Sequence, residues 1–210
     1  MPSQIRDYRA ASVFLAALDA DWARLVEQVG PCTLECQAAR EPFEALVRAV
    51  AHQQLHARAA ESILARMLAL YPDTPFPAPE QLLATDFDAL RGTGLSARKV
   101  ETLRGIAEGA LSGLVPSGAE AARLDDAALI ERLVTLRGIG RWTVEMLLIF
   151  TLERRDVLPV DDFGVRNGYR RLKRLEKLPT PRELARIGQA YSPWRTVAAW
   201  YLWRVPQPAP

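Results

Sequence analysis

The sequence has few of the features that mark membrane, metal-dependent or disulfide-rich proteins. It contains only two cysteines, Cys32 and Cys36, separated by three residues. One such pair is a poor zinc signature, and it cannot supply the four thiolates of an iron–sulfur cluster. No uninterrupted apolar run reaches 18 residues, and no charged-then-apolar signal peptide opens the chain. We therefore expect a soluble cytoplasmic protein whose two cysteines are ordinary reduced thiols.

Alternation of apolar and polar residues is also missing over any length that would make a central β-strand. Apolar residues recur instead at helical spacing, as in the stripe of Phe43, Leu46, Val47 and Val50 that follows Pro42. The chain has 210 residues, enough for one large domain or two small ones. The pattern predicts an all-α protein with about eight to ten helices.

Several helix starts are predicted from capping residues. Thr85, Ser96 and Asp125 each stand just before an apolar-periodic segment, the position of an N-cap. The segment Thr180-Pro-Arg-Glu183 combines a cap, a proline at the first helical position and the glutamate of a capping box. Ser192-Pro-Trp-Arg195 repeats the cap and the proline, so it predicts a further helix start.

Charge is distributed unevenly along the chain. Residues 163–210 contain ten Lys and Arg against two Glu, a net charge of +8, whereas residues 1–162 have a net charge of −6. A surface that binds a polyanion needs such a concentration of positive charge, because each phosphate contact releases counterions. A solvated basic helix face would give the same composition, so charge alone leaves nucleic-acid binding open.

The most specific motif is Leu136-Arg-Gly-Ile-Gly-Arg-Trp-Thr143, which joins two predicted helices. Glycine tolerates positive φ, so Gly138 and Gly140 on either side of Ile139 allow a tight hairpin. The next helix starts at once, and its first N–H groups and positive dipole end can hold a phosphate. Such a contact positions a duplex without reading its sequence. A plain helical corner stopped by glycine is the simpler alternative; we expect Gly138, Ile139, Gly140 and Thr143 to bind DNA.

This hairpin resembles that of the helix-hairpin-helix DNA glycosylases, and most closely that of the AlkA-like 3-methyladenine DNA glycosylase II branch. The similarity extends from about Pro42 to Trp203 and follows family order. Its five segments are Ala51-His-Gln-Gln-Leu55, Gly94-Leu-Ser-Ala-Arg-Lys99, the hairpin, Leu158-Pro-Val-Asp-Asp-Phe-Gly-Val-Arg166, and Pro193-Trp-Arg followed by Trp203.

The resemblance implies a fold and an activity. The fold is a two-lobed helical bundle with the active-site cleft between the lobes, one lobe being residues 42–155 with the hairpin at 136–143, the other residues 1–41 with 156–210. The activity is that of a monofunctional DNA glycosylase in base excision repair, which flips an alkylated purine of the 3-methyladenine or 7-methylguanine type out of the duplex and removes it by hydrolysis. In the lyase branch a lysine follows Gly-x-Gly-x and attacks the sugar, but Trp142 stands there, so no lyase activity is expected.

The implied partner is double-stranded DNA that contains an alkylated base. Neither membrane contact nor a stable oligomer is implied, and we expect a monomer. The resemblance implies no cofactor. A monovalent cation bound by the backbone carbonyls of the hairpin is the one alternative that it leaves open.

The resemblance places the catalytic carboxylate in the pair Asp161 and Asp162. One carboxylate can stabilise an oxocarbenium-like sugar and activate water, and one suffices because an alkylated purine is already cationic. The family aspartate is followed three residues later by an apolar helix position, which is Val165 from Asp162 but Gly164 from Asp161. We therefore choose Asp162 as catalytic, keep Asp161 as the alternative, and expect Asp161 to cap the next helix.

The remaining site residues are also implied by the resemblance. Trp142 and Trp203 would line the base pocket, where a cation–π contact favours a cationic base. Met146 stands where some relatives have a further aromatic residue of this pocket. A wedge must fill the vacancy in the base stack; Gln54 is the better positional match and Leu55 the better apolar plug. The other tryptophans, which we assign to packing, are Trp22, Trp194 and Trp200.

Three other functions compete with this interpretation. A non-catalytic helix-hairpin-helix DNA-binding protein would explain the hairpin and the basic segment, but not the acid pair. A glycosylase with lyase activity would need the lysine and the cysteine cluster that are absent. A helical scaffold for protein partners would leave the +8 segment unexplained.

Overall fold

The computed structural model describes residues 8–53 and 55–206, and within them the backbone forms helices and loops with no strand. The α-helices, in chain order, are α1 (Arg9–Ala16), α2 (Ala20–Val29), α3 (Pro42–His52), α4 (Ala57–Leu68), α5 (Pro79–Ala84), α6 (Phe87–Gly92), α7 (Ala97–Leu111), α8 (Gly118–Ala121), α9 (Asp126–Leu133), α10 (Arg141–Phe150), α11 (Phe163–Leu172), α12 (Pro181–Ile187) and α13 (Arg195–Leu202). A 3-10 helix, Gly188–Tyr191, lies between α12 and α13. The all-α prediction is confirmed.

The chain divides into two compact units. The middle unit, Ala38–Leu152, contains α3 to α10 and the hairpin. The terminal unit contains α1 and α2 from residues 8–37, together with α11 to α13 from residues 153–206. The middle unit begins at Ala38 and ends at Leu152, and the lobe boundaries expected from the sequence, 42 and 155, stay a prediction.

The middle unit is built around α3 and α7. Pro42 begins α3 as predicted, and Leu46, Val47 and Val50 are fully buried. Helix α3 packs against α4, α7 and α10; α7 also packs against α5 and α6, and α9 packs against α10. Each large aliphatic side chain that is fully buried contributes roughly 1.5–3 kcal/mol to folding. Burial of this stripe therefore fixes α3, the helix that precedes the wedge candidates Gln54 and Leu55, in the middle unit.

The terminal unit is built around α13, which packs against α1, α2, α11 and the 3-10 helix. Tyr201 is fully buried, and its hydroxyl lies 2.8 Å from Ser12 Oγ and 2.9 Å from the Gly30 carbonyl oxygen. Helices α11 and α13 pack tightly at Gly168, where a Cβ atom would overlap the carbonyl group of Leu202. A residue without a side chain is therefore required at this crossing.

Most of the predicted helix caps are confirmed. Ser96 and Asp125 accept hydrogen bonds from backbone N–H groups in the first turns of α7 and α9. The capping box at α12 is complete: Thr180 Oγ1 accepts from the Glu183 N–H at 3.3 Å, and the Glu183 carboxylate accepts from the Thr180 N–H at 2.7 Å. These starts could be predicted because each cap contacts only its own helix.

The prediction that Thr85 caps α6 is wrong. Thr85 ends α5, because its hydroxyl donates to the Gln81 carbonyl at 2.8 Å. Asp86 caps α6 instead, and its carboxylate accepts from the N–H groups of Asp88 at 2.9 Å and Ala89 at 3.0 Å.

The predicted helix start at Ser192 is also wrong, since α13 begins at Arg195. The Ser192 hydroxyl donates to the Asp156 carboxylate at 2.8 Å, so it is not available to cap a helix. Asp156 also accepts from the Arg195 guanidinium, at 2.8 Å to each of two nitrogens, and from the Arg195 backbone N–H at 3.2 Å. The bond from the Arg195 guanidinium is the main reason that the pKa of the Asp156 carboxyl is lowered.

Cys32 and Cys36 are both buried, and burial raises the pKa of the Cys32 thiol to about 11. Within residues 8–53 and 55–206, no three His, Cys, Asp or Glu side chains cluster in a way that could hold a metal ion. None of the described helices is both long enough and apolar enough to span a bilayer.

Candidate active site and nucleic-acid interface

The two hairpin glycines have different roles. Gly138 has a φ of +87°, and a Cβ atom there would collide with the side chain of Thr102, whose Cγ2 would lie 2.9 Å away. Gly140 is the N-cap of α10 with a φ of −95°, and no heavy atom lies within 4 Å of where its Cβ would be. Gly138 is thus required by the fold of the turn, whereas Gly140 leaves open space at the start of α10.

The apolar residue of the hairpin is buried rather than presented outward. Ile139 is 4% exposed and Thr143 is 3% exposed, so neither side chain is available to DNA. Their N–H groups donate to the carbonyls of Leu136 and Gly140, each at 3.0 Å. The side chains of Ile139 and Thr143 therefore pack the hairpin into the middle unit, and binding of DNA at these two positions, through the backbone, stays a prediction.

The exposed residues around this turn are Arg137, Gly138, Gly140 and Arg141. Helix α10 begins at Arg141. The N–H groups of Gly140 and Arg141 therefore come too early in the chain to donate to a carbonyl of this helix. The positive end of the helix dipole lies at the same place. The outer face of the hairpin therefore has the chemistry of an anion-binding helix terminus.

Gln53 links the end of α3 to this hairpin, and sequence analysis gave it no role. Its side-chain amide donates to the Gly138 carbonyl at 3.4 Å and to Thr143 Oγ1 at 3.3 Å. Lys99 supports the same turn, because its ammonium group donates to the carbonyls of Ala51 and Gln53, both at 2.9 Å. Partial burial lowers the pKa of Lys99. These partners lie about 45 to 90 residues apart in the chain, so no local pattern could reveal them.

The two wedge candidates follow directly after Gln53. Gln54 lies outside the described residues. Leu55 is 41% exposed in the loop before α4. The fixed end of α3 thus leads into an exposed apolar side chain on the same unit as the hairpin.

Two of the pocket candidates lie on α10, four residues apart and hence on one face of the helix. Trp142 is 39% exposed in the first turn. Met146 is half-buried and lines a cavity of about 440 Å³, together with Arg48, His52 and Phe150 among others. This face of α10 combines an aromatic ring and a thioether, both of which are soft, polarisable groups.

In the terminal unit, Asp162 is half-buried at the N-cap of α11. Its Oδ1 atom accepts from the Val165 N–H at 2.8 Å and from Trp203 Nε1 at 2.9 Å. Asp161 is exposed one residue earlier. The expectation that Asp161 caps the helix is therefore wrong, because Asp162 occupies the N-cap position itself.

Trp203, the third pocket candidate, is the residue that follows α13, and its indole N–H reaches the candidate catalytic carboxylate. The other tryptophans pack as expected. Trp22 and Trp200 are at most 3% exposed, and Trp194 lies under the guanidinium of Arg155 at 5.8 Å.

Comparison with known proteins places this arrangement in a family. The model of the HhH-GPD superfamily base excision DNA repair proteins matches residues 47–193. DNA-3-methyladenine glycosylase 1 of Schizosaccharomyces pombe is 49% identical over 195 residues, which are 92% of this chain and 86% of that protein.

Solved structures agree with the sequence comparison. The structure of the S. pombe 3-methyladenine DNA glycosylase in complex with abasic DNA is 48% identical, with a TM-score of 0.87 over 93% of this chain and 95% of that one. The DNA-3-methyladenine glycosidase of Bacillus halodurans is 33% identical, with a TM-score of 0.82 over 95% of this chain and 90% of that one.

The chain therefore belongs to the HhH-GPD superfamily of base excision DNA repair proteins. Within it, the protein is a DNA glycosylase rather than a non-catalytic helix-hairpin-helix binder, and its partner is DNA.

Proposed function

We propose that the protein hydrolyses the N-glycosidic bond of alkylated purines in DNA, of the 3-methyladenine and 7-methylguanine type, and leaves the backbone intact. The observation that carries this proposal is the Asp162 carboxylate, which two N–H donors hold in place at the start of α11. The 49% identity to a protein named for 3-methyladenine supports the substrate class.

The chemistry needs one anion and one water molecule. As the bond between the base and C1′ breaks, its electron pair leaves with the base, so a cationic alkylated purine departs as a neutral molecule. The sugar becomes oxocarbenium-like, and the negative charge of Asp162 stabilises it. The oxygen of water then bonds to C1′, and Asp162 orients this water and accepts its proton as general base.

The other residues prepare the substrate. The outer face of the hairpin at Gly138, Gly140 and Arg141 holds a phosphate, and exposed Leu55 fills the space that the flipped nucleotide leaves. The face of α10 formed by Trp142 and Met146 provides polarisable contacts to the base. A cation over a tryptophan ring is worth roughly 0.5–2 kcal/mol, and this contact favours alkylated bases over neutral ones.

Release of free base from alkylated DNA tests the substrate class. Duplex DNA treated with a methylating agent should yield 3-methyladenine and 7-methylguanine in the supernatant, identified by chromatography. The Asp162→Asn protein prepared in the same way controls for a contaminating activity, and untreated duplex should yield nothing. Release of only oxidised or deaminated bases, or of none, would contradict the proposal.

The second test asks whether the protein cuts the DNA strand at the abasic site. Trp142 occupies the position at which the lyase branch has its amine nucleophile, so no Schiff base should form. We expect product strands to remain intact until alkali is added, and borohydride to trap no covalent complex of protein and DNA. Alkali treatment of the same sample confirms that abasic sites were present. A trapped complex would mean that another amine attacks the sugar.

A further inference from the structure

We infer that Trp203 and Gly164 are positioning residues for the Asp162 carboxylate. Trp203 donates a hydrogen bond to it, and Gly164 provides the space in which that bond forms. This inference rests on the proposed role of Asp162 and adds to it a requirement for particular residues around the acid.

The two donors to Asp162 come from different parts of the terminal unit. The Val165 N–H belongs to the first turn of α11, whereas the Trp203 indole lies at the end of α13, 41 residues further along the chain. Both bonds end at Oδ1, so the plane of the carboxylate is fixed by two elements at once. Because an ionised carboxylate only accepts hydrogen bonds, both donors can hold Asp162 in one orientation.

The position of the indole depends on how closely α11 and α13 pack. Gly168 lies directly against the carbonyl of Leu202, the residue immediately before Trp203. Any side chain at this crossing would push the end of α13 away from α11. The 2.9 Å bond between the indole and Asp162 thus depends on the packing of the two helices.

Gly164 lies in the first turn of α11, where the helix itself has no need of glycine, since alanine is a better helix former. The limited space around position 164 explains why a glycine is found there. A Cβ atom at position 164 would lie 3.0 Å from Asp162 Oδ1, 3.0 Å from Trp203 Cδ1 and 3.4 Å from Trp203 Nε1. A methyl group would therefore press directly on the hydrogen-bonded pair.

The test compares Trp203→Phe, Gly164→Ala and the double variant with the wild-type chain. Phenylalanine keeps an aromatic ring for the base but has no N–H to donate. We expect each single variant to lower the single-turnover rate of excision by about tenfold, the effect of losing one bond to a charged group. Affinity for lesion-bearing duplex should stay within about twofold. Because both changes act on the same bond, their effects should not multiply in the double variant.

Two matched controls separate this role from general damage to the fold. Trp200→Phe removes a buried indole from the same helix, but one that does not bond to Asp162. Gly105→Ala adds a methyl group to a helical glycine with open space around it. Both should excise at the wild-type rate, and thermal melting should show that Gly164→Ala folds as well as wild type.

The outcomes also separate this inference from the proposed function. Wild-type excision by Trp203→Phe, alongside an inactive Asp162→Asn protein, would overturn the positioning role and leave the role of Asp162 intact. Equal loss of rate in Trp200→Phe would overturn it too, since the effect would then come from disturbing α13. Full activity of Asp162→Asn would overturn both proposals.

Discussion

Replacing Asp162 by asparagine should lower the rate of base release by about 10²–10⁴-fold, the range typical for loss of a general base. Asparagine has the same shape and is an equally good N-cap. Its amide oxygen can still accept from the Val165 N–H and from the Trp203 indole, so α11 should begin where it does now. What the variant loses is the negative charge. We therefore expect little change in thermal stability or in affinity for DNA.

The measurement is single-turnover excision from methylated duplex, with the dissociation constant for the same duplex measured in parallel. Asp161→Asn is the matched control, because it removes the same charge from an exposed side chain one residue earlier in the chain. It should excise within about twofold of wild type. An inactive Asp161→Asn protein beside an active Asp162→Asn protein would transfer the catalytic role to Asp161.

Asp162 is preferred over Asp161 as the candidate catalytic residue because of a local spacing in the sequence. An apolar helix position three residues after the aspartate is the spacing from N-cap to N3, and the structure has this bond between Asp162 and the Val165 N–H. Sequence analysis separated the two roles and gave the cap to Asp161. In the structure the candidate catalytic residue and the cap are the same residue, so one spacing accounts for both.

Capping mistakes elsewhere have a similar origin. Thr85 and Ser192 are both good capping residues, and each stands near a real helix start. Their hydroxyls bond elsewhere, to the Gln81 carbonyl and to the Asp156 carboxylate. Asp156 lies 36 residues before Ser192, so the competition between partners cannot be seen in a short window of sequence.

The parts of the site that depend on distant partners were the least predictable. Trp203 was expected to line the base pocket, but its bond to Asp162 joins residues 41 positions apart. Gln53 reaches Gly138 and Thr143 across 85 and 90 residues. In each case the residue type suits several roles, and only the packing of the helices decides which partner it meets.

Replacing Gly138 by alanine should weaken binding to every duplex, damaged or not, and should also lower the melting temperature. A residue with a side chain at a φ of +87° costs roughly 1–2 kcal/mol, and its Cβ would also collide with Thr102. The turn must shift to relieve this strain, and the carbonyl that accepts from Gln53 would shift with it. A misplaced hairpin loses phosphate contacts, which are independent of sequence, so we expect about tenfold weaker binding to plain and lesion-bearing DNA alike.

Gly140→Ala is the matched variant, since it adds the same methyl group two residues further along the hairpin. Its φ of −95° suits any residue, and the space around it is open, so the free energy of unfolding should not change. Affinity should nevertheless fall, because the methyl group stands where a phosphate would approach the N–H groups at the start of α10. Dissociation constants for plain and methylated duplex at two salt concentrations, with melting curves for each protein, distinguish the two effects. If Gly140→Ala binds DNA as tightly as wild type does, phosphate does not approach this end of α10, and the glycine at position 140 is not needed for that contact.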